Sequence, residues 1–143
     1  MTDLPRRGLF VVGTDTDVGK TAVAAAVLRG LVAAGRQVAA YKPVASGIAT
    51  AAEPGGDPER LWEAAGRVGE IANICPQCFA APLSPPRAAR AAGRVVDEPL
   101  LRTGLTAWRD HELVVVEGAG IKARMGSRAV ADGVTEPENR SPA

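Results

Sequence analysis

The run GTDTDVGKT, Gly13 to Thr21, lies between the apolar LFVV and the alanine-rich AVAAAVLRGLVAAG. No other stretch restricts the fold as much. GLFVVG is a short apolar run with strand-forming Phe and Val, ended by glycine. From about Gly19 to Ala34 the pattern turns helical. Val23, Val27 and Leu31 fall four apart, as do Leu28 and Val32, and these residues are expected to share one helical face. Gly35 is placed to end the helix. QVAAYKP then reads as a second strand closed by Pro43. Strand, helix and strand within about 35 residues is the size of a βαβ unit, which is right-handed and builds a parallel sheet.

A glycine-rich turn between such a strand and helix presents backbone N–H groups to one concavity, at the positive end of the helix dipole. A polyphosphate fits there. Lys20 would reach the β- and γ-phosphates, and the Thr21 hydroxyl would take a place on Mg2+. The usual spacing is G-x-x-x-x-G-K-[ST]; from Gly13 to Gly19 the loop is one residue longer. The alternative is a glycine-rich turn that only joins the two elements.

The rest of the chain permits one domain. Its 143 residues suffice for a moderate core. Hydrophobic residues make up 46% and aromatics 3%, so Val, Leu and Ala must build that core. A formal net charge of +1 gives no reason to expect nucleic acid or a membrane surface as partner. No apolar run approaches the roughly 20 residues of a bilayer span. The N-terminal Arg6 and Arg7 precede too short an apolar run for a secretory signal, and read as a basic pair before a buried strand. The expected location is cytoplasmic. Cys75 and Cys78 form a C-x-x-C, which suits half a zinc site or a redox pair. With His111 the lone histidine, zinc lacks ligands, and two free thiols are expected.

Further along, ASGIATAAEPGG reads as a loop and CPQCFAAPLSPP as proline-punctuated irregular chain. DPERLWEAAG reads as a helix with Asp57 as N-cap and Pro58 in its first position. In DEPLLRTGLTAWRDHE, Leu101, Leu105 and Trp108 share a helical face, and the buried strand LVVV follows, ending at Glu117. Ligands of open α/β sheets bind beyond the C-terminal ends of strands. Glu117 and Lys42 both stand there, a carboxylate suited to a metal and a lysine suited to charge on a transferred phosphoryl group. Either could equally be a solvated residue at a strand end, and capping alone would account for Asp57.

Taken together, GTDTDVGKT, YKPVASG, PLSP (Pro82 to Pro85) and VEGAG (Val116 to Gly120) resemble dethiobiotin synthetase, whose motifs they follow in order. The resemblance implies a P-loop NTPase-type parallel sheet flanked by helices, incomplete here because the later strands are missing. It implies conversion of 7,8-diaminopelargonate and CO2 to dethiobiotin with ATP and Mg2+, through a carbamate and a carbamic-phosphoric anhydride. By the same motifs, Asp17, Val18, Gly19, Lys20, Thr21, Ala22, Asp57, Glu117, Gly118, Ala119 and Gly120 would bind nucleotide. Thr21, Asp57 and Glu117 would hold the metal. Lys42 and Lys20 would be catalytic, and Thr16 and Ser46 would contact the diamine or its carbamate. Asp17 stands where the family commonly has glutamate. The family is homodimeric.

The likeness stops after Gly120. Residues 121–143, IKARMGSRAVADGVTEPENRSPA, show no sustained periodicity and read as a disordered tail, left by a truncation or a shifted reading frame. The domain is therefore expected to span residues 1–120. Three parallel strands cut short would leave an unpaired edge and exposed apolar helix faces, and so a marginally stable or poorly soluble chain. Two other functions are compatible with the phosphate loop: a nucleotide-binding remnant without turnover, and a partitioning-type ATPase that works as a dimeric switch. YKPVASG argues against the switch, which has no use for that substrate loop.

Overall fold

A computed structural model describes residues 4–12 and 19–118. The tail 121–143 and the loop residues 13–18 lie outside the described residues. Three parallel strands form the main sheet: β1 (Arg7–Val11), β2 (Val38–Tyr41) and β5 (Leu113–Glu117), in the order β1-β5-β2. The βαβ crossover is present, with β5 inserted between its two strands. The register aligns the ends of the strands, so that Val11 pairs Glu117 and Tyr41 pairs Val116. Helix α1 (Lys20–Ala33) packs over the sheet and against α2 (Asp57–Ala64). This is the expected P-loop type of α/β sheet flanked by helices, with a partial set of strands.

The two parallel partners of β5 explain its composition. A strand covered on both edges and both faces has no solvent side, so LVVV need not alternate. Val114, Val115 and Val116 are all buried. So is every residue of β2. β1 departs from expectation: it is not a buried strand, because Arg7, Gly8 and Leu9 are exposed and only Phe10 and Val11 are half-buried. It touches a neighbouring strand on one side only among the described residues.

The apolar residues that share a helical face in α1 are only partly the buried ones. Thr21, Ala24, Ala25 and Leu28 point inward, while Val23 is 54% and Val32 40% exposed, with Val27 and Leu31 partly covered. Small side chains face the sheet because they let the helix backbone approach closely, and the larger valines are turned outward. Gly35 follows the helix as expected, its amide bonded to the Val32 carbonyl at 2.9 Å. The core is indeed rich in Val, Leu and Ala, but Trp108, Tyr41 and Phe79 are among its largest fully buried members.

Two segments expected to be irregular are ordered. Val44–Ser46 (β3) pairs in parallel with Gln77–Phe79 (β4), making a second, two-stranded sheet. Helix α3 (Ile71–Ile74) precedes β4 and α4 (Pro85–Ala91) follows it. Pro85 and Pro86 open α4 rather than break it, since a proline is tolerated in the first helical turn. The expected helical face of Leu101, Leu105 and Trp108 is divided. Helix α5 (Glu98–Thr103) gives way to a 3-10 turn over Gly104–Trp108, and Leu101 packs in a different cluster from Leu105 and Trp108. Tyr41 packs at the break. Its hydroxyl donates to the Leu101 carbonyl at 2.8 Å, and a Cβ on Gly104 would collide with the Tyr41 hydroxyl.

Candidate nucleotide and metal site

The C-terminal ends of β2 and β5 and the start of α1 converge on one cluster of charge. Helix α1 opens at Gly19, whose φ of 76° a side chain would resist. Its first turn holds Lys20 and Thr21 and no acid. A cation is disfavoured at a helix N-terminus, so this turn gains from an anion in front of it. Lys20 is buried and reaches across the sheet end, donating from Nζ to the Gly118 carbonyl at 3.0 Å. Gly118 is fixed in turn by its amide bond to the Val11 carbonyl, at 3.1 Å. The Thr21 hydroxyl donates to Glu117 Oε1 at 2.7 Å.

Glu117 is 1% exposed. A buried carboxylate needs an opposite charge and hydrogen bonds, and Lys42 supplies the charge, its Nζ 3.3 Å from Glu117 Oε1. The same ammonium lies 3.5 Å from Asp57 Oδ2. The backbone of Lys42 is anchored as well, its amide donating to the Ile74 carbonyl at 2.7 Å. The Lys42 ammonium therefore sits between two carboxylates from different elements.

Asp57 does not cap its helix. Gly56 is the N-cap, Asp57 takes the first helical position, and no side-chain cap bond is made. Its carboxylate turns instead toward Lys42 and, at 3.9 Å, toward Arg60. The capping role that would have accounted for this residue is thus removed.

Glu117 Oε2 is buried and has no hydrogen-bond partner among the described residues. An orphaned carboxylate oxygen beside a threonine hydroxyl, with a second carboxylate 43% exposed nearby, is a donor set of hard oxygens. Mg2+ commonly takes only one or two carboxylates and completes its shell with water and substrate phosphates. These residues fit that ion. Among the described residues no group of three or more His, Cys, Asp or Glu forms a metal cluster, so zinc-type ligation is not offered.

The structure brings together Lys20, Thr21, Lys42, Asp57, Glu117 and Gly118. Ser46 closes β3, paired with Phe79 and partly exposed, and no hydrogen bond joins it to the cluster among the described residues. Ala22 is exposed on α1, beside a groove of about 410 Å3 shared with Arg29 and Arg60. Thr16, Asp17, Val18, Ala119 and Gly120 lie outside the described residues. Sequence reasoning missed the two carbonyls that fix the lysines, Gly118 for Lys20 and Ile74 for Lys42. A main-chain acceptor carries no residue-type signal.

A helix start carrying Lys20 and Thr21, set beside a buried acid and a second lysine at the sheet end, has the form of the P-loop class. An AAA domain family model matches residues 7–128, and the chain belongs to that family. It is similar to the ATP-dependent dethiobiotin synthetase of Anaeromyxobacter dehalogenans (strain 2CP-C), 51% identical over 115 residues that make up 80% of this chain and 51% of the relative. The synthetase of Rhodopirellula baltica is 46% identical over 78% of this chain and 45% of its own length. That of Caulobacter vibrioides (strain NA1000 / CB15N) is 43% identical over 80% and 53%. The chain spans about half the length of these relatives.

Proposed function

We propose that the chain carries the nucleotide and phosphoryl-transfer half of a dethiobiotin synthetase, a ligase of biotin biosynthesis that uses ATP and Mg2+ in the cytoplasm. The observation that carries this reading is the Lys42 ammonium held between Asp57 and Glu117 at the sheet end, beside Lys20 and Thr21. The similarity to ATP-dependent dethiobiotin synthetases supports this reading. The nucleotide-binding unit runs over residues 1–120, with Asp17, Val18, Gly19, Ala22, Ala119 and Gly120 contributing contacts to the nucleotide.

On this reading one amine of 7,8-diaminopelargonate takes up CO2 as a carbamate, next to Thr16 and Ser46. The carbamate oxygen attacks the γ-phosphorus of ATP and ADP leaves. The second amine then attacks the mixed anhydride, a C–N bond forms, and phosphate departs as the ureido ring closes. No covalent bond to the protein is required, so the side chains act by position and charge. Lys20 and Lys42 balance the negative charge that spreads over the transferred group. Thr21, Asp57 and Glu117 would hold Mg2+, which when bound offsets phosphate charge and orients the triphosphate.

The test is ATP- and diaminopelargonate-dependent fixation of labelled bicarbonate, with Lys42→Ala run in parallel. Fixation that the substitution abolishes supports the proposal. The coverage of only half the relatives' length favours a second reading, nucleotide binding without turnover. ATP·Mg binding with no fixation in the parent chain would select it.

A further inference from the structure

The C-x-x-C pair has no part in the proposed reaction, yet it adjoins the segments that carry the Ile74 anchor of Lys42 and Ser46. Cys75 ends α3 and Cys78 lies in β4, with their sulfurs 3.5 Å apart and both thiols free. A disulfide needs about 2.05 Å between the sulfurs, so a small approach of the two closes the bond. Their accessibility differs. Cys75 is 3% exposed and directs its thiol to the Gln77 carbonyl at 3.5 Å, whereas Cys78 is partly open to solvent. The hydrogen bond shared by the two sulfurs holds the Cys78 thiol below its usual range, against burial and the Glu53 carboxylate and with help from the Lys42 ammonium. The same hydrogen bond and burial push Cys75 up. A partly open thiol over a buried one, their sulfurs in contact, is the arrangement of an attacking and a resolving cysteine.

The pair also touches the site's scaffold. Ile74, next to Cys75, is the residue whose carbonyl anchors the Lys42 amide. Cys78 pairs with Ala45 in the β3–β4 sheet, one residue before Ser46.

We infer that Cys75 and Cys78 are a thiol–disulfide exchange site, oxidised by low-molecular-weight disulfides, whose closure tightens the Ile74 anchor of Lys42. The Cys78 thiolate attacks one sulfur of the small disulfide, forming a mixed disulfide and releasing one thiolate. Cys75 loses its proton to solvent and attacks the Cys78 sulfur, and the second small thiolate leaves. The protein loses two hydrogens, and the small disulfide is reduced to two thiols.

The experiment exposes the folded 143-residue chain to oxidised glutathione, quenches with acid and reads intact mass. The parent chain should lose the mass of two hydrogens and both alkylatable thiols. Cys75→Ser should stall with one glutathione on Cys78, and Cys78→Ser should react roughly tenfold or more slowly. The Lys42 amide should exchange its hydrogen more slowly in the oxidised than in the reduced parent. A parent chain that accumulates the mixed disulfide without closing, or reacts only when denatured, would overturn the inference. So would equal rates for the two variants, or Lys42 exchange that ignores oxidation. None of these readouts depends on ligase activity.

Discussion

The two sides of the main sheet are built to different standards. At the ends of β2 and β5, charge is drawn into the interior and paired: Lys42 bridges the buried Glu117 and the more open Asp57, and Thr21 and Lys20 reach across from α1. On the β1 side, Leu9 and Val12 are exposed, as are Val23 and Val32 on the outward face of α1. A buried ion cluster is costly unless every partner is held, so the packing around it must be specified closely. An exposed valine costs little and specifies nothing. The lesson is that the candidate site's framework is determined by interior contacts of these residues, while the outer flank is left without a cover among the described residues.

The largest break in that comparison should come from Lys42. Lys42→Ala leaves Glu117 buried without its cation and should destabilise the fold by about 3 kcal/mol or more, read by urea unfolding. Lys42→Met combined with Glu117→Gln should recover much of the loss, because no uncompensated charge remains. A Lys42→Ala chain as stable as the parent would show that the cluster is solvated rather than buried.

Helix α1 offers the contrast within one element. Leu28→Ala on the inner face should cost about 3 kcal/mol, whereas Val23→Ser on the outer face should stay within about 0.5 kcal/mol. Val23→Ser with Val32→Ser should also lower self-association in sedimentation experiments, since exposed apolar patches promote it. Equal losses at Leu28 and Val23 would mean that the outer face is covered in solution.

Gly104→Ala probes the link between Tyr41 and the α5 break. The added methyl meets the Tyr41 hydroxyl and should destabilise by about 2 kcal/mol, with partial relief in the Tyr41→Phe background.

The smallest effect lies at the opposite end of the sheet. Arg36 donates from Nε to Glu112 at 3.1 Å, and that bond, with the charges of Arg36, Arg7 and Arg6, holds the Glu112 carboxyl below its usual range. The folded carboxyl is the stronger acid. Its contribution is therefore present above the ordinary carboxylate range and is lost as pH falls through the folded value. Arg36→Gln should shift the urea midpoint slightly at neutral pH, and the gap should close in acid.

Much of this was legible in the sequence. The chain order strand, phosphate loop, helix, strand is set by local pattern, and GKT at a helix start names its own chemistry. Lys42 and Glu117 could be placed at one edge because parallel strands share a direction. Asp57 could not be read correctly. Capping is a local preference, and the cation that draws Asp57 away from it lies 15 positions earlier in the chain. Strands β3 and β4 were also hidden, since three residues carry no periodicity and their pairing joins Ser46 to Phe79 across the intervening α2 and α3.

By itself the sequence determined the class of sheet, the helix that follows the loop, and the residue types available to hold phosphate and metal. Those properties depend on neighbours within a few positions. The tertiary structure decided which side of α1 is buried, that β5 divides β1 from β2, and that one ammonium serves two carboxylates. These depend on contacts between distant segments, where close approach selects alanine over valine and burial forces each charge to find its partner.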